Sequence, residues 1–459
     1  MEFVKSSRGG ELLCLNGFVL SINYRRNNKK YWKCRKANCK FTAVTEEQEL
    51  LSSRGEHGHP PEQAKIEIKK AVERAKAICK NEPHKPLKRA YREAFEEVDM
   101  ENEQNLDDLP SLQKYKPTLY RARRKRLPKL PHTLAEITLP EEWRTTEDGR
   151  NFLLANDGVE ERILIFGTSQ NIRYLCAADT IFMDGTFKIS PDMFHQVYAL
   201  HAVVMGVMVP LCICLLPSKT GATYKRMFSL IKNVSVQLGH QFNPGTFCID
   251  YESAVITAID ELFPNSRVRG CLFHYSQALW RYVQTCGLVQ RYRNDDNFNR
   301  LVRRAFALPL VPPASIDDVW LRAMDEEPDP EVERFKDYVT TTWVDNLTAR
   351  FPYEIWNQYD NIGGIRTTNN LESWHSKMKK ELERPHPNVF RFIELLKEEQ
   401  TRVENELRLL QAGGQVPAQR QKYRNVTLRL LRLKVRLESN QIDVYHYAGA
   451  VGGILTPNE

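Results

Sequence analysis

The sequence predicts a multidomain α/β protein with a small β-rich unit at its N-terminus, a helical connector and an α/β core interrupted by an all-α insertion. Short alternating segments broken by Gly and Asn extend to about residue 62, and helical periodicity follows to about residue 130. Alternating strand and helix patterns begin beyond about residue 145. At about 150 residues per domain, 459 residues provide for two to four domains.

Positive charge is concentrated in the N-terminal third of the chain. Residues 1–130 contain 29 Lys and Arg against 18 Asp and Glu, a net charge of +11, whereas the remainder carries 37 against 40, or −3. Because Lys and Arg neutralise phosphates, this asymmetry indicates a nucleic-acid-binding module joined to a domain with another function. A well-solvated surface is the alternative. No apolar run approaches the roughly 18 residues that span a bilayer, which argues against a membrane protein.

Ten cysteines raise the question of disulfides or metal binding. The opening residues, MEFVKSSRGG, lack the apolar stretch of a signal peptide, so we expect a reducing compartment. Metal binding or burial is then favoured over a disulfide framework.

Two close pairs of metal-ligating residues lie near the N-terminus. Cys34 and Cys39 are separated by four residues, and His57 and His59 follow with one residue between them. Two thiolates and two imidazoles can complete a tetrahedral shell around a structural zinc ion, although unrelated polar loop residues are the alternative. An extended segment would place both rings of the H-x-H pair on one side.

The residues around these ligands resemble the FLYWCH-type zinc finger. The marks are Gly17-Phe18, the strand Tyr31-Trp32-Lys33-Cys34, Cys39 and the terminal His57-Gly58-His59. In a unit of about 60 residues, zinc would contribute folding energy rather than chemistry. We expect DNA phosphates to be bound by basic residues of this unit and of the following helix: Arg25, Arg26, Lys29, Lys30, Lys33, Arg35 and Lys36, then Arg121, Arg123, Arg124, Lys125 and Arg126. The second run is also a candidate nuclear import signal or a plain solvated helix face.

The predicted order of elements in the α/β part is three meandering strands, a crossover helix and two further strands, each followed by a helix. This is the order expected of a ribonuclease-H-like sheet. The strands are predicted at 180–189, 196–205, 207–217, 246–250 and 267–275, and the helices at 222–239, 253–263 and 276–286.

Two strand-borne carboxylates stand out in this part. Asp184 lies within the apolar strand IFMDGTFK, and Asp250 ends the strand TFCID. A buried carboxylate needs a partner, and a divalent cation is a natural one, although Asp250 could instead cap the following helix. With a third acid from a helix, such a pair can hold two Mg²⁺ or Mn²⁺ ions for in-line phosphodiester attack.

From about Thr180 to Glu399 the chain resembles the Mutator-like element (MULE) transposase domain. The marks are DGTFKISPDMFHQVYALHAV, CIDYESAVITAI, GCLFHYSQALWR and RTTNNLESWHSKM, in that order. The resemblance implies a ribonuclease-H-like (DDE) core in which Asp184, Asp250 and Glu372 are the catalytic, magnesium-binding acids. It also implies a C-x-x-H motif, Cys271 to His274, that supports the active site or the handling of DNA ends.

Other polar residues near the predicted third acid are candidates for supporting roles. Asn369, Asn370 and His375 share a predicted helix with Glu372, where contact with the site or with DNA competes with simple capping or packing. The 121 residues between Asp250 and Glu372 predict a helical insertion. Its tryptophans either pack in a core or stack on DNA bases: Trp280, Trp320, Trp343 and Trp356.

With the MULE resemblance, these patterns predict a nuclear cut-and-paste DNA transposase that binds terminal inverted repeats and target DNA, and that needs no small-molecule substrate. At least a homodimer is expected, and the C-terminal helices either pack protomers or pack within one chain. The predicted domains are a finger (1–62), a basic helical connector with a possible helix-turn-helix (63–131), the first part of the core (132–286), the insertion (287–360), the last part of the core (361–400) and C-terminal helices (401–459). A domesticated transposase that only regulates DNA or chromatin is one alternative, and a nuclease without strand transfer is another.

Overall fold

The fold is described from a computed structural model that covers residues 1–6, 10–82, 85–96, 98, 111–125, 127–345, 347–382, 385–418 and 420–455. These residues form two compact units, one built mainly from residues 1–130 and the other mainly from residues 131–455. In the part of the chain so described, no helix is both long enough and apolar enough to cross a bilayer.

The first unit begins with an antiparallel six-stranded sheet in which each strand pairs with the next along the chain. The strands are β1 (Glu2–Lys5), β2 (Glu11–Leu15), β3 (Phe18–Arg26), β4 (Lys29–Cys34), β5 (Thr42–Glu46) and β6 (Glu49–Arg54). The prediction of three strands was wrong. Tight turns divide the apolar stretches, because Asn16, Gly17, Asn27 and Asn28 all adopt positive φ, which Gly and Asn tolerate in hairpin turns.

Three helices complete this unit, and their helical character was predicted. They are α1 (Gln63–Asn81), α2 (Leu87–Phe95) and α3 (Leu112–Arg124). Small residues such as Ala75 and Ala90, with Cys79 and Leu119, form their common core. Small side chains allow the helices to approach closely.

The second unit is built on a seven-stranded mixed sheet. Its strands are β7 (Leu153–Asp157), β8 (Ile163–Phe166), β9 (Thr180–Thr186), β10 (Gln196–Val204), β11 (Val207–Leu216), β12 (Thr246–Ile249) and β13 (Arg267–Gly270). They lie in the order β13-β12-β9-β10-β11-β8-β7. β12 is parallel to both β9 and β13, and the other pairs are antiparallel.

The helices associated with this sheet are α4 (Glu141–Arg144), α5 (Ser169–Ala177), α6 (Gly221–Gln237), α7 (Ser253–Leu262) and α8 (Leu272–Thr285). The sequence did not predict β7, β8 or α5. The predicted strand 267–275 was too long, because it ends at Gly270 and α8 begins at Leu272. Cys271 and His274 therefore lie at the start of a helix.

The remaining chain is helical, as the sequence predicted. Its α-helices are α9 (Val289–Asn294), α10 (Asp296–Ala307), α11 (Ile316–Asp325), α12 (Glu333–Val339), α13 (Tyr353–Trp356), α14 (Asn369–Glu381), α15 (Val389–Gln411), α16 (Gln421–Glu438) and α17 (Val444–Ile454). A π-helical segment spans Thr340–Val344, and short 3-10 turns span Leu308–Leu310, Pro313–Ser315, Pro330–Val332 and Tyr359–Asn361.

The C-terminal helices share one hydrophobic core with the helices that follow the sheet. Tyr447 of α17 is fully buried, and its hydroxyl donates to the Leu310 carbonyl oxygen at 2.8 Å. Leu430 of α16 is buried in the same cluster as Trp320 and Trp356. The predicted insertion and the end of the chain are thus packed together in the second unit.

Candidate functional site

The four predicted zinc ligands of the first unit converge. Cys34 Sγ lies 3.3 Å from His59 Nε2, Cys39 Sγ lies 3.4 Å from His57 Nδ1, and the two ring nitrogens are 3.3 Å apart. Ligands held at about 2.0–2.3 Å from a tetrahedral zinc are themselves about 3.3–3.8 Å apart. Among the described residues, this is the one set of three or more Cys, His, Asp or Glu whose ligand atoms all lie within 4.8 Å of one another. The geometry and the donor set fit a zinc ion.

Neighbouring groups fix the orientation of both imidazoles. The Nδ1–H group of His59 donates to the Pro60 carbonyl oxygen at 3.0 Å, which leaves Nε2 as the free ligand atom. The His57 ring lies between Phe18 and Phe41, with ring centroids at 3.7 and 4.0 Å. Phe18 of the Gly-Phe mark therefore holds a metal ligand in place.

The structure separates the predicted DNA-binding residues by exposure. Arg25, Arg26, Lys33 and Arg35 are exposed, and Lys29 and Lys30 are partly buried. Lys30 pairs with Glu11 at 2.7 Å, and Arg25 lies 3.8 Å from the same carboxylate. On α3 and its C-terminal end, Arg121, Arg124 and Lys125 are exposed.

Arg123 departs from the prediction of a DNA contact. Its exposure is only 5%, and its guanidinium donates to the Lys85 carbonyl oxygen inside the first unit. Since a buried guanidinium does not reach a phosphate, Arg123 serves helix packing in this fold. Arg126 lies outside the described residues.

In the second unit, adjacent parallel strands bring Asp184 and Asp250 together. Cys248 of β12 is opposite Phe182 of β9 in the parallel register. Extending that register by two residues places Asp250 beside Asp184 on the same face, since side chains alternate along a strand and neighbouring strands lie about 4.8 Å apart. Asp184 is 6% exposed, and Asp250 Oδ1 is buried without a hydrogen-bond partner in the described structure.

Helix α14 packs on this face of the sheet and carries Glu372 in its first turn. Leu371 is fully buried in a cluster with Phe182 and Cys248, the residues that precede the two aspartates by two positions. The next residue of the helix is Glu372, which is half-buried. Packing of one leucine thus holds the third acid near the other two.

Two histidines lie beside Glu372 and Asp184. His274 Nε2 lies 3.7 Å from Glu372 Oε1, and His375 Nδ1 lies 3.5 Å from Asp184 Oδ2. The remaining ring nitrogen of each, His274 Nδ1 and His375 Nε2, is buried without a hydrogen-bond partner among the described residues. The predicted supporting residues Cys271, His274 and His375 therefore lie around the acids.

Burial and mutual repulsion dominate the electrostatics of this cluster. Burial raises the pKa of Asp184, and the nearby Asp250 and Glu372 raise it further, to about 7, against the opposing effect of His274. Burial also raises the pKa of Asp250 and of Glu372. These carboxyls are therefore poorly stabilised as anions by the protein alone.

The two histidines are shifted in opposite directions. Burial alone would lower the pKa of His274, but Cys271 and the carboxylates of Asp184 and Asp250 raise it to about 9. For His375, burial and the neighbouring His274 lower the pKa to about 4. Near neutral pH, His274 is a cation among the acids and His375 is neutral.

Cys271 joins the end of the sheet to the segment that leads into α14. The backbone N–H and the hydroxyl of Thr368 donate to Cys271 Sγ at 3.2 and 3.3 Å. The Leu272 N–H donates to the Arg366 carbonyl oxygen at 2.9 Å. Cys271 thus positions Glu372 through the backbone four residues before it.

The predicted asparagines lie at the start of the same helix with different exposure. Asn370 is exposed, whereas Asn369 is partly buried and its Oδ1 has no hydrogen-bond partner among the described residues.

Two features of the site were not predicted. Glu252 accepts a hydrogen bond from Tyr224 at 3.0 Å, and Tyr224 accepts one from Gln196 at 2.6 Å. Glu399 of α15, 6% exposed, accepts from Trp374 Nε1 at 3.1 Å and holds α14 from behind. The sequence could have indicated Glu252, because it lies two residues after Asp250. No local motif around Glu399 indicates its role.

Two family models match the chain: a FLYWCH zinc finger domain at residues 3–59 and a MULE transposase domain at residues 180–278. The chain carries both domains. The FLYWCH resemblance is confirmed, and the MULE resemblance is confirmed for residues 180–278 of the stretch from 180 to 399 over which it was drawn. No curated protein was found to match the chain.

The matched MULE domain extends from β9 into α8 and contains Asp184, Asp250, Cys271 and His274. Glu372 lies beyond it, on α14. The helices that follow the MULE match bury three of the predicted stacking tryptophans, Trp320, Trp343 and Trp356, at 1% exposure or less, so these pack in the core. Trp280 is partly buried and meets Tyr292 edge to face.

Proposed function

We propose that the chain is a cut-and-paste DNA transposase whose catalytic acids are Asp184, Asp250 and Glu372. The observation that carries the proposal is the approach of these three acids, from two parallel strands and one helix. The MULE match contains the two aspartates, and Glu372 follows it on α14. The sheet supports the proposal too. The order β11-β10-β9-β12-β13, with a three-stranded meander followed by two parallel strands, is the order of a ribonuclease-H-like core.

The residues present fit divalent metal ions. Their donors are carboxylate oxygens, which Mg²⁺ and Mn²⁺ prefer, and one buried oxygen of Asp250 has no partner in the described structure. Asp184, Asp250 and Glu372 would hold the ions. Two such ions would supply activation of a water or 3′-hydroxyl and stabilisation of the leaving oxygen.

The histidines have distinct tasks in this proposal. His274, a cation near neutral pH, offsets part of the charge of the acids and lowers the pKa of Asp184, which burial and the other acids nevertheless hold at about 7. His375 stays neutral, so it can accept or donate a hydrogen bond beside Asp184. Neither needs to form a covalent link to DNA.

The partners follow from the two domains. The zinc finger and its exposed cations support binding to duplex DNA, both the terminal inverted repeats of an element and the target. Work on DNA implies a nuclear location, and joining two ends implies at least a homodimer.

The test is cleavage of labelled duplexes that end in the inverted repeats flanking the coding sequence in its source genome. Wild type is expected to cut in Mg²⁺ or Mn²⁺, and Asp184→Asn to bind but not cut. Asp179→Asn is the matched control, since Asp179 is exposed and precedes the same strand. Equal cutting by wild type and Asp184→Asn, or binding without cutting by wild type, would overturn the proposal. The second outcome would favour the regulatory alternative.

A further inference from the structure

Helix α16 presents a row of exposed cations to solvent. Lys422, Arg429, Arg432 and Arg436 are spaced by seven, three and four residues, so they share one face of the helix. All four are exposed, and none has an ion pair or hydrogen bond to another described residue through its side chain. We call these four residues the basic face of α16.

Repulsion within this face opposes helix stability, and none of its four cations is paired with an acid among the described residues. Only Arg436, in the last turn, interacts favourably with the helix dipole. Like charges three or four residues apart, such as Arg429, Arg432 and Arg436, destabilise a helix by about 0.2–0.5 kcal/mol per pair. A cation in the first turn, such as Lys422, opposes the helix dipole. The one acid of α16, Glu438, is at its far end near Lys434 and Tyr359. An anionic partner outside the chain would relieve this repulsion.

We propose that the basic face of α16 binds the phosphate backbone of duplex DNA. From Lys422 to Arg436 the helix rises about 21 Å at 1.5 Å per residue. Along the duplex axis this length corresponds to about six base pairs at about 3.4 Å each. The inference rests on the proposed transposase function, because that function supplies the DNA.

The buried side of α16 argues against a membrane as the occupant of the basic face. An amphipathic basic helix can lie on an anionic membrane, but only if its apolar face is free. Here Leu430 is fully buried, and Val426, Leu433 and Leu437 pack against the same core. A second copy of the chain is disfavoured as well, since a twofold contact would set this face against its own like charges.

Helix α16 contacts the segment that leads to the acids through its buried side. The Arg366 guanidinium donates to Thr427 Oγ1 of α16 at 3.0 Å, and the Arg366 carbonyl oxygen accepts the Leu272 N–H at the start of α8. Thr368, which anchors Cys271, follows two residues later. α16 therefore contacts the segment that leads to Glu372, through the side of the helix opposite to its basic face.

The test measures the affinity of the full, zinc-loaded protein for a random-sequence duplex that lacks element ends, over a salt series. The variant carries Arg429→Gln, Arg432→Gln and Arg436→Gln. The charge-matched control carries Arg173→Gln, Arg281→Gln and Arg334→Gln, which are exposed arginines on α5, α8 and α12. Thermal melting checks that both variants stay folded.

Each phosphate contact contributes about 0.9 to the slope of log affinity against log salt concentration. Loss of three contacts should reduce the slope by about 2.7 and weaken binding about a hundredfold near 0.15 M salt. The control should keep the wild-type slope. An unchanged slope in the α16 variant, or an equal change in both variants, would overturn the inference.

These outcomes are separable from failure of the proposed function. If wild type cleaves DNA but the α16 variant keeps the wild-type salt slope, the proposed DNA surface on α16 is wrong and the proposed transposase function stands. If the α16 variant has a reduced salt slope but wild type does not cleave DNA, the DNA surface on α16 stands and the catalytic proposal is wrong.

Discussion

Replacing Glu399 by Gln should loosen helix α14, which carries Glu372 and His375. Glu399 accepts from Arg402 through both carboxylate oxygens, at 2.9 Å from Nε and 2.8 Å from Nη2, and it pairs with Lys377. The glutamine keeps an acceptor for Trp374 but removes the charge that both cations face.

The expected loss follows from the exposure of the three partners. Removing one member of a fully buried ion pair costs about 3–5 kcal/mol. Here Glu399 is 6% exposed, but Lys377 and Arg402 are 40% and 47% exposed, so water can reach the cations that remain. Solvent screening reduces the expected loss to about 2 kcal/mol.

The assay is urea unfolding followed by tryptophan fluorescence, because six of the seven tryptophans lie in the second unit. Glu406→Gln is the matched control. Glu406 pairs with the same Arg402 at 2.8 Å but is more exposed, so its loss should be about 0.5 kcal/mol. Equal urea midpoints for Glu399→Gln and Glu406→Gln would refute the conclusion that the buried Glu399 carboxylate stabilises α14.

The pH dependence gives a second check on Glu399. Burial would raise its pKa, but Arg402 and Lys377 lower it below the usual glutamate value. The stabilisation is therefore complete above the pKa of the unfolded chain, about 4.3, and is lost as pH falls through the lower folded value. The difference between wild type and Glu399→Gln should shrink below about pH 4.

Two further predictions concern the candidate zinc site and the acid cluster. Chelation of zinc, or Cys39→Ser, should unfold the β-rich finger and lower the β signal in circular dichroism while the second unit stays folded, because zinc supplies the finger's folding energy. The control is Cys14→Ala, which replaces a buried cysteine outside the ligand set and should retain one zinc per chain. A finger that stays folded after chelation would contradict this prediction. In metal-free protein, Asp184→Asn should be more stable than wild type above about pH 7, by up to about 4 kcal/mol. The reason is that the pKa of Asp184 is about 7 in the folded protein and near 3.9 in the unfolded chain, so the stability of wild type falls as pH rises between these values. A series of thermal melts across this pH range that shows no such gain would contradict the prediction.

Strong hydrophobic patterns made much of the fold predictable. The apolar runs of β9, β10 and β11 and the periodicity of α6 identify these elements from the residues alone. β7 and β8 were missed because their runs are short, and burial of β8 on both faces comes from tertiary packing. β13 was extended too far because apolar residues continue past Gly270 into a helix.

The site was predictable to the extent that its residues lie in recognisable local motifs. The zinc ligands and the two aspartates stand in such motifs, and the structure brings each group together. Arg123 was misjudged because sequence charge does not reveal burial. The roles of Glu399 and of the basic face of α16 depend on whether residues distant in the sequence pair with them, and no local sequence pattern predicts such pairs.

The acid cluster is unfavourable for folding, and neighbouring residues hold it in place. Asp184 and Asp250 are buried carboxylates, and their raised pKa values mean that the folded protein disfavours their charged forms. Such a cluster persists only if the surrounding structure holds it rigidly, as Cys271 does from one side of α14 and Glu399 from the other. The same repulsion that destabilises the metal-free protein would favour cations at this place, so stability and metal affinity are expected to change in opposite directions when Asp184 is neutralised.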